Sequence, residues 1–196
     1  MMGRFVDRGA IIAAYVGIGM AVTMAISFLL VIPIGPAYVL LSAPAGMIIG
    51  YYANARSARQ RGQWRRILPN AALVGVVTGL TLAILLLGTK ALFFFGDAGY
   101  PDFNRVDPNG VAIGETCISG ADCVYHRYVK AQAQDVADAG ITDVASFSNV
   151  YWGEQWSAAR LLLGVTTGAA LFGGFLFAIA GPRRATTLPS VAAARA

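Results

Sequence analysis

From Ala10 to Ala53 the chain carries no formal charge. A helix needs about 20 apolar residues, each rising about 1.5 Å, to cross a hydrocarbon core of about 30 Å. This run is too long for one such helix and too apolar for a soluble surface. It breaks at Pro33-Ile34-Gly35-Pro36, where two prolines remove backbone donors and a glycine permits a tight reversal. The pattern predicts a helical hairpin with arms over Ala10–Ile32 and Ala37–Ala53. Pro44 lies inside the shorter second arm, which leaves two readings open there: a kinked span or a re-entrant one.

Two more apolar blocks follow. Ala71–Phe95 is interrupted only by Lys90, and the 19 uncharged residues before that lysine are enough for a span. Lys90 lies near the end, where its stem can snorkel to the headgroups. The last block, predicted to span residues 158–181, is entered through Trp152 and Trp156 and ends at Pro182-Arg183-Arg184. Tryptophan at a span end suits the aromatic belt of a bilayer interface. Only 13% of the 196 residues are charged, about half the share in a soluble domain. An ordinary soluble domain, a disordered chain and a coiled coil are thereby excluded. The first block far exceeds the roughly 7–15 residues of a secretory h-region, so it is expected to remain as an anchor.

Charge assigns the sides. Arg4, Arg8, Arg56, Arg59, Arg61, Arg65, Arg66, Arg183, Arg184 and Arg195 fall on one side, with Asp7 as its only acid. Lys90, Arg105, Arg127, Lys130 and Arg160 fall on the other, with the remaining nine acids. The positive-inside rule makes residues 1–9, the Arg-rich loop 54–70 and the tail 182–196 cytoplasmic. Arg56, Arg59, Arg61, Arg65, Arg66, Arg183 and Arg184 are expected to set topology and attract anionic lipid, not nucleic acid. The preference for arginine over lysine suits a GC-rich bacterium, so the expected location is a bacterial inner membrane, with both termini inside.

The expected fold is therefore an all-α integral membrane protein, a four-transmembrane-helix antiparallel bundle. A small, mainly helical extracytoplasmic cap, residues 96–157, separates the third span (71–95) from the fourth. Small residues four apart mark helix-packing stripes: Gly46 and Gly50, then Gly75, Gly79 and Ala83, then Gly164 and Gly168. In the cap, Asp107-Pro108-Asn109-Gly110 reads as a turn. Asp122–Ala139 reads as a helix with Tyr125, Val129 and Val136 on one face and Gly140 as its C-terminal cap. Thr142 is expected to cap a second helix carrying Val144, Phe147 and Tyr151, which continues through Trp156 into the last span.

Chemistry-bearing residues are scarce. Cys117 and Cys123 are the only cysteines and His126 the only histidine, too few for a four-ligand zinc site. Outside the cytoplasm such a cysteine pair is expected to be a structural disulfide, worth about 2 kcal/mol. Cys123 and His126 could hold half a metal site, but a disulfide would consume the thiol. Asp102, Asn104, Asp107 and Asn109 are oxygen-rich, yet their spacing does not fit an EF-hand. Four-helix quinone-linked thiol oxidases resemble this chain in helix count, but they need a second cysteine pair of Cys-x-x-Cys form. The large loop before the last span resembles the layout of tetraspanins, without their Cys-Cys-Gly motif.

No nucleophile–base pair, paired carboxylates or phosphate loop is present, and no cofactor is identifiable. The expected function is a non-enzymatic one: an accessory or scaffold subunit that meets the bilayer and a membrane-protein partner or another copy of itself. The alternatives are an oligomeric small-solute transporter or channel and, less favoured, a thiol–disulfide redox enzyme.

Overall fold

The computed structural model describes residues 7–30, 35–96 and 120–183. Every regular element among the described residues is an α-helix. In chain order these are α1 Arg8–Leu30, α2 Gly35–Arg56, α3 Trp64–Gly96, α4 Ala121–Ala131, α5 Ala133–Asp138 and α6 Val144–Ala180. Three of them, α1, α3 and α6, are long and apolar enough to cross a membrane. The protein is a helical membrane protein.

The long helices alternate in direction, and hydrogen bonds at their ends fix the pairing. At one end Asp7 precedes α1 and meets Arg59 and Asn70, from the α2–α3 turn and the start of α3. The Gly62 amide of that turn donates to the Ala178 carbonyl near the end of α6, at 2.9 Å. At the other end the Gly120 amide, just before α4, donates to the Phe94 carbonyl of α3 at 3.1 Å. Helix α6 packs most extensively on α3 and α2, while α1 packs on α3 and α2 and does not touch α6. Helices α2 and α3 therefore form the middle of the bundle, and α1 and α6 stand at opposite corners.

Glycine allows this packing. A β-carbon on Gly50 would collide with the Ala170 carbonyl, one on Gly46 with the Thr166 carbonyl, and one on Gly173 with the Met47 carbonyl. Helices α2 and α6 thus touch backbone to backbone. On α3, a β-carbon at Gly75 would lie 2.7 Å from the Ala170 methyl, and one at Gly79 would lie 3.1 Å from the Leu163 α-carbon. Ala83 continues that face and is buried. Lipid is as apolar as the side chains, so close approach and dispersion hold such helices together.

The pair Gly164 and Gly168 does not pack within the bundle. Both are exposed, and a β-carbon on either would meet nothing within 4 Å. The packing face of α6 instead runs through Thr166, Ala170, Gly173, Gly174 and Ala178. Two positions along a helix turn the face by about 200°, so one set of small residues faces in and the other out.

The ends of the helices also differ in detail. Helix α3 begins at Trp64, well inside the expected loop, and runs through Pro69. That proline leaves the Arg65 carbonyl, in the exposed first turn, without its helical donor. Pro44 is accommodated inside a continuous α2. The expected helix Asp122–Ala139 is two helices broken at Gln132, whose φ of −142° is not helical. On α4 Val124 is buried and Val129 is turned outward, and on α5 Val136 is buried. Gly140, at φ 67°, ends α5, with Ile141 donating to the Val136 carbonyl and Gly140 to that of Ala137. Asp143, not Thr142, caps α6: its carboxylate accepts from the Ser146 amide at 2.7 Å, and the Ser146 hydroxyl accepts from the Asp143 amide. A carboxylate one residue nearer the helix has the shorter reach to the third amide. The expected turn at residues 107–110 lies outside the described residues.

Replacing Gly50 by leucine forces the α2 and α6 backbones apart. The expected cost is at least about 1–3 kcal/mol, the usual range for an overpacked interior. Thermal unfolding in detergent should show a clear loss for Gly50→Leu, and a wild-type midpoint would refute the backbone contact.

Candidate functional site

Two features could carry function: the Arg-rich end of the bundle and the outward face of α6. The first is built by the turn between α2 and α3. Helix α2 closes with Arg59 donating to the Asn54 carbonyl and Ala58 to that of Ala55, both at 3.1 Å. This closure places Ala58 at φ 49°, a conformation costing an alanine about 1 kcal/mol. It aims Arg59 inward, where its Nε donates to the Asp7 carboxylate at 2.7 Å and its guanidinium forms an ion pair with the same group. Asn70 Nδ2 donates to that carboxylate at 2.9 Å and to the Ser57 hydroxyl at 3.4 Å. The Asp7 amide in turn donates to Asn70 Oδ1 at 3.4 Å. One carboxylate thus ties together the start of α1, the turn after α2 and the start of α3. Burial pushes the Asp7 carboxyl up. Hydrogen bonds from Arg59 and Asn70, then the Arg59 charge, outweigh it and hold the group below its ordinary value.

The other arginines of this end are disposed differently. Arg56, Arg61, Arg65, Arg66 and Arg183 are exposed, and Arg184 lies outside the described residues. Gly62, Gln63, Trp64, Arg65 and Arg66 line an open cleft of about 620 Å³. The Trp64 indole tilts against Phe175 of α6 with ring centroids 5.5 Å apart. From Trp156 to Phe175 helix α6 rises about 28 Å, so the two tryptophans lie about one hydrocarbon thickness apart.

The far end is aromatic. Phe94 packs on Tyr151 at 4.9 Å and on Trp152 at 5.3 Å, and Phe147 packs on Tyr128 at 5.1 Å and Tyr125 at 5.6 Å. Phe94, Val124, Phe147 and Tyr151 form one buried cluster joining α3, α4 and α6. Cys123 lies on the same side of α4, 5% exposed, and is not a free thiol. Cys117 lies outside the described residues. His126 is exposed, with Nδ1 3.1 Å from the Asp122 carbonyl. Among the described residues no three of His, Cys, Asp and Glu come together as metal ligands. Asp102, Asn104, Asp107 and Asn109 lie outside them.

The sequence reading missed Asp7, Asn70 and Ser57, because a polar residue at a span boundary looks alike whether it faces water or a partner. It also missed Gly17, whose absent β-carbon makes room for the Thr78 hydroxyl, and the pair Gly173 and Gly174. Small residues at a spacing of three to four, from Thr166 to Ala178, were a readable signal for that last pair.

No family model matches the chain, and neither a curated protein nor a solved structure resembles it.

Asp7 gives a pH-dependent link. Its carboxyl lies below the ordinary value of 3.8, so its contribution is complete above that pH and is lost as pH falls through the lower folded value. Asp7→Asn should cost about 1–2 kcal/mol near neutrality, by loss of charge-assisted hydrogen bonds. Unfolding midpoints of the variant and the wild type should converge as pH is lowered below the ordinary carboxylate range. A difference that stays constant with pH would exclude the link.

Proposed function

We propose that this chain is a non-catalytic accessory or scaffold subunit of a membrane complex, engaged through the outward face of α6. The observation that carries the reading is the pair Gly164 and Gly168. A glycine inside a helix costs about 1 kcal/mol relative to alanine. Gly46 and Gly50 of α2 and Gly75 and Gly79 of α3 return that cost as close packing within the bundle, while Gly88 of α3 stands alone in open space. Gly164 and Gly168 return nothing there, and they lie beside exposed Leu161, Phe172, Phe175 and Ile179. A small-residue groove bordered by large side chains suits a helix of a partner protein or of a second copy.

In this proposal all four long helices span, including α2, and the membrane is the bacterial cytoplasmic one. The Arg-rich end faces the cytoplasm, as the charge asymmetry requires under the positive-inside rule. Helices α4 and α5 and the start of α6 then form an extracytoplasmic cap, braced by a Cys117–Cys123 disulfide. Support for the disulfide comes from Cys123 being buried and not free.

An oligomeric transporter or channel is the second reading. It draws on the Thr78, Thr166 and Thr167 hydroxyls, which are buried within the long helices without a hydrogen-bond partner among the described residues. Polar groups inside a membrane-spanning bundle are candidates for lining a pathway when they do not bond to the helices around them.

Gentle extraction, sizing and mass spectrometry of co-purifying proteins tests the first reading. The wild type should travel with a partner or as a homo-oligomer, and Gly164→Leu/Gly168→Leu should release a folded monomer. A monomeric wild type, or an assembly untouched by the double substitution, would remove it. Saturable solute flux in reconstituted vesicles would favour the second. Alkylation under denaturing, non-reducing conditions should label neither cysteine, and reduction should expose both. Labelling before reduction would dismiss the disulfide.

A further inference from the structure

The Arg-rich end separates its cations into two kinds. Arg59 is half-buried and neutralised by Asp7. Arg65 and Arg66 line the cleft and have no carboxylate within ion-pair distance among the described residues. The sequence sharpens the point: Asp7 is the only acid before Asp97, and no acid follows Glu154. Asp7, the one acid of that end, is engaged by Arg59, so the two cleft guanidiniums have no side-chain anion of their own there.

From this geometry we propose that the cleft of Gly62–Arg66 is a binding site for the headgroup of an anionic phospholipid. Three observations converge on that occupant. The cleft has room for a phosphate and its glycerol, at about 620 Å³. Its charge is positive and uncompensated, and a guanidinium forks onto phosphate oxygens with two parallel hydrogen bonds. Its inner wall is Trp64, half-exposed and tilted on Phe175, which itself stacks on Phe172 along the exposed face of α6. A headgroup in the cleft thus has a continuous apolar surface beneath it for its acyl chain. The positive end of the α3 dipole adds to the same field. A free phosphate would use the guanidiniums and leave the aromatic wall unused, so a lipid is the occupant favoured. The headgroup site rests on the membrane setting and not on the accessory role, and its acyl chain shares Phe172 and Phe175 with the edge of the α6 face proposed for a partner.

The test uses the full chain in a neutral detergent, with Trp152→Phe/Trp156→Phe leaving Trp64 as the sole indole. Phosphatidylglycerol should change the Trp64 fluorescence saturably, and phosphatidylcholine should bind at least about tenfold more weakly. Arg65→Gln/Arg66→Gln should weaken phosphatidylglycerol by roughly thirtyfold, the product of two surface cations acting on an anionic headgroup. Arg56→Gln/Arg61→Gln removes the same charge outside the cleft and should change affinity by less than about threefold. Should the cleft pair of substitutions fail to give a monodisperse protein, Arg65→Gln alone is read instead, with a loss of about fivefold expected. Equal losses for the two double variants would overturn the site in favour of diffuse attraction. An unsaturable response, or displacement of the lipid by about 10 mM inorganic phosphate, would overturn it as well.

Discussion

The architecture depends on the direct contact of the α2 and α6 backbones at Gly46, Gly50 and Gly173. In a bilayer, apolar side chains gain little by leaving lipid for protein, so helices associate only where they fit more closely than lipid does. Removing the β-carbons at these positions brings carbonyls and α-carbons into van der Waals contact over several turns. Helix α3 then joins through Gly75 and Gly79, which close on Ala170 and Leu163 of α6. Ala170 stands between Gly50 and Gly75 and is fully buried, so one methyl group marks where three helices meet. Helix α1 comes last, held by α2 and α3 and by the Asp7 network.

The two ends of this bundle are secured by different physics. At the Arg-rich end, orphaned helix-terminal groups and a single carboxylate are paired with one another. Gly62 and Arg61 donate to carbonyls at the end of α6, and Asp7 draws in Arg59 and Asn70. Such pairing suits a headgroup region, where water competes but charge is not prohibitive. At the far end, stacked rings of α3, α4 and α6 supply buried area, with Phe94 at the centre. The continuous α6, about 55 Å long, carries the packing from one end to the other.

What remains exposed follows from this arrangement. Because α1 and α6 occupy opposite corners, each keeps a broad apolar face for its surroundings. On α1 that face holds branched and large side chains such as Ile11, Tyr15 and Ile26 and one glycine, Gly19. On α6 it contains two glycines. Likewise, of the arginines around the α2–α3 turn, one is neutralised within the fold and the others are left to act outward. The reading of function proposed above draws on these residues, which the fold itself does not use.

Membrane character and the approximate positions of the long helices were legible in the sequence, because each rests on one-dimensional facts. An uncharged run longer than a helix needs a break, and Pro33-Ile34-Gly35-Pro36 announced one: α1 ends at Leu30 and α2 begins at Gly35. Helix caps were legible to within a residue, as Asp143 and Gly140 show, because caps are local chemistry. Which way a small-residue stripe faces was not legible. Gly46 with Gly50 and Gly164 with Gly168 have the same spacing, and only three-dimensional packing turns one pair inward and the other out. Nor could the sequence say that Asp7 would meet Arg59 and Asn70, 52 and 63 residues away. Spacing along a chain determines which residues share a helix face. Which face meets another helix is decided by the joint fit of all the helices, and that exists only in the folded protein.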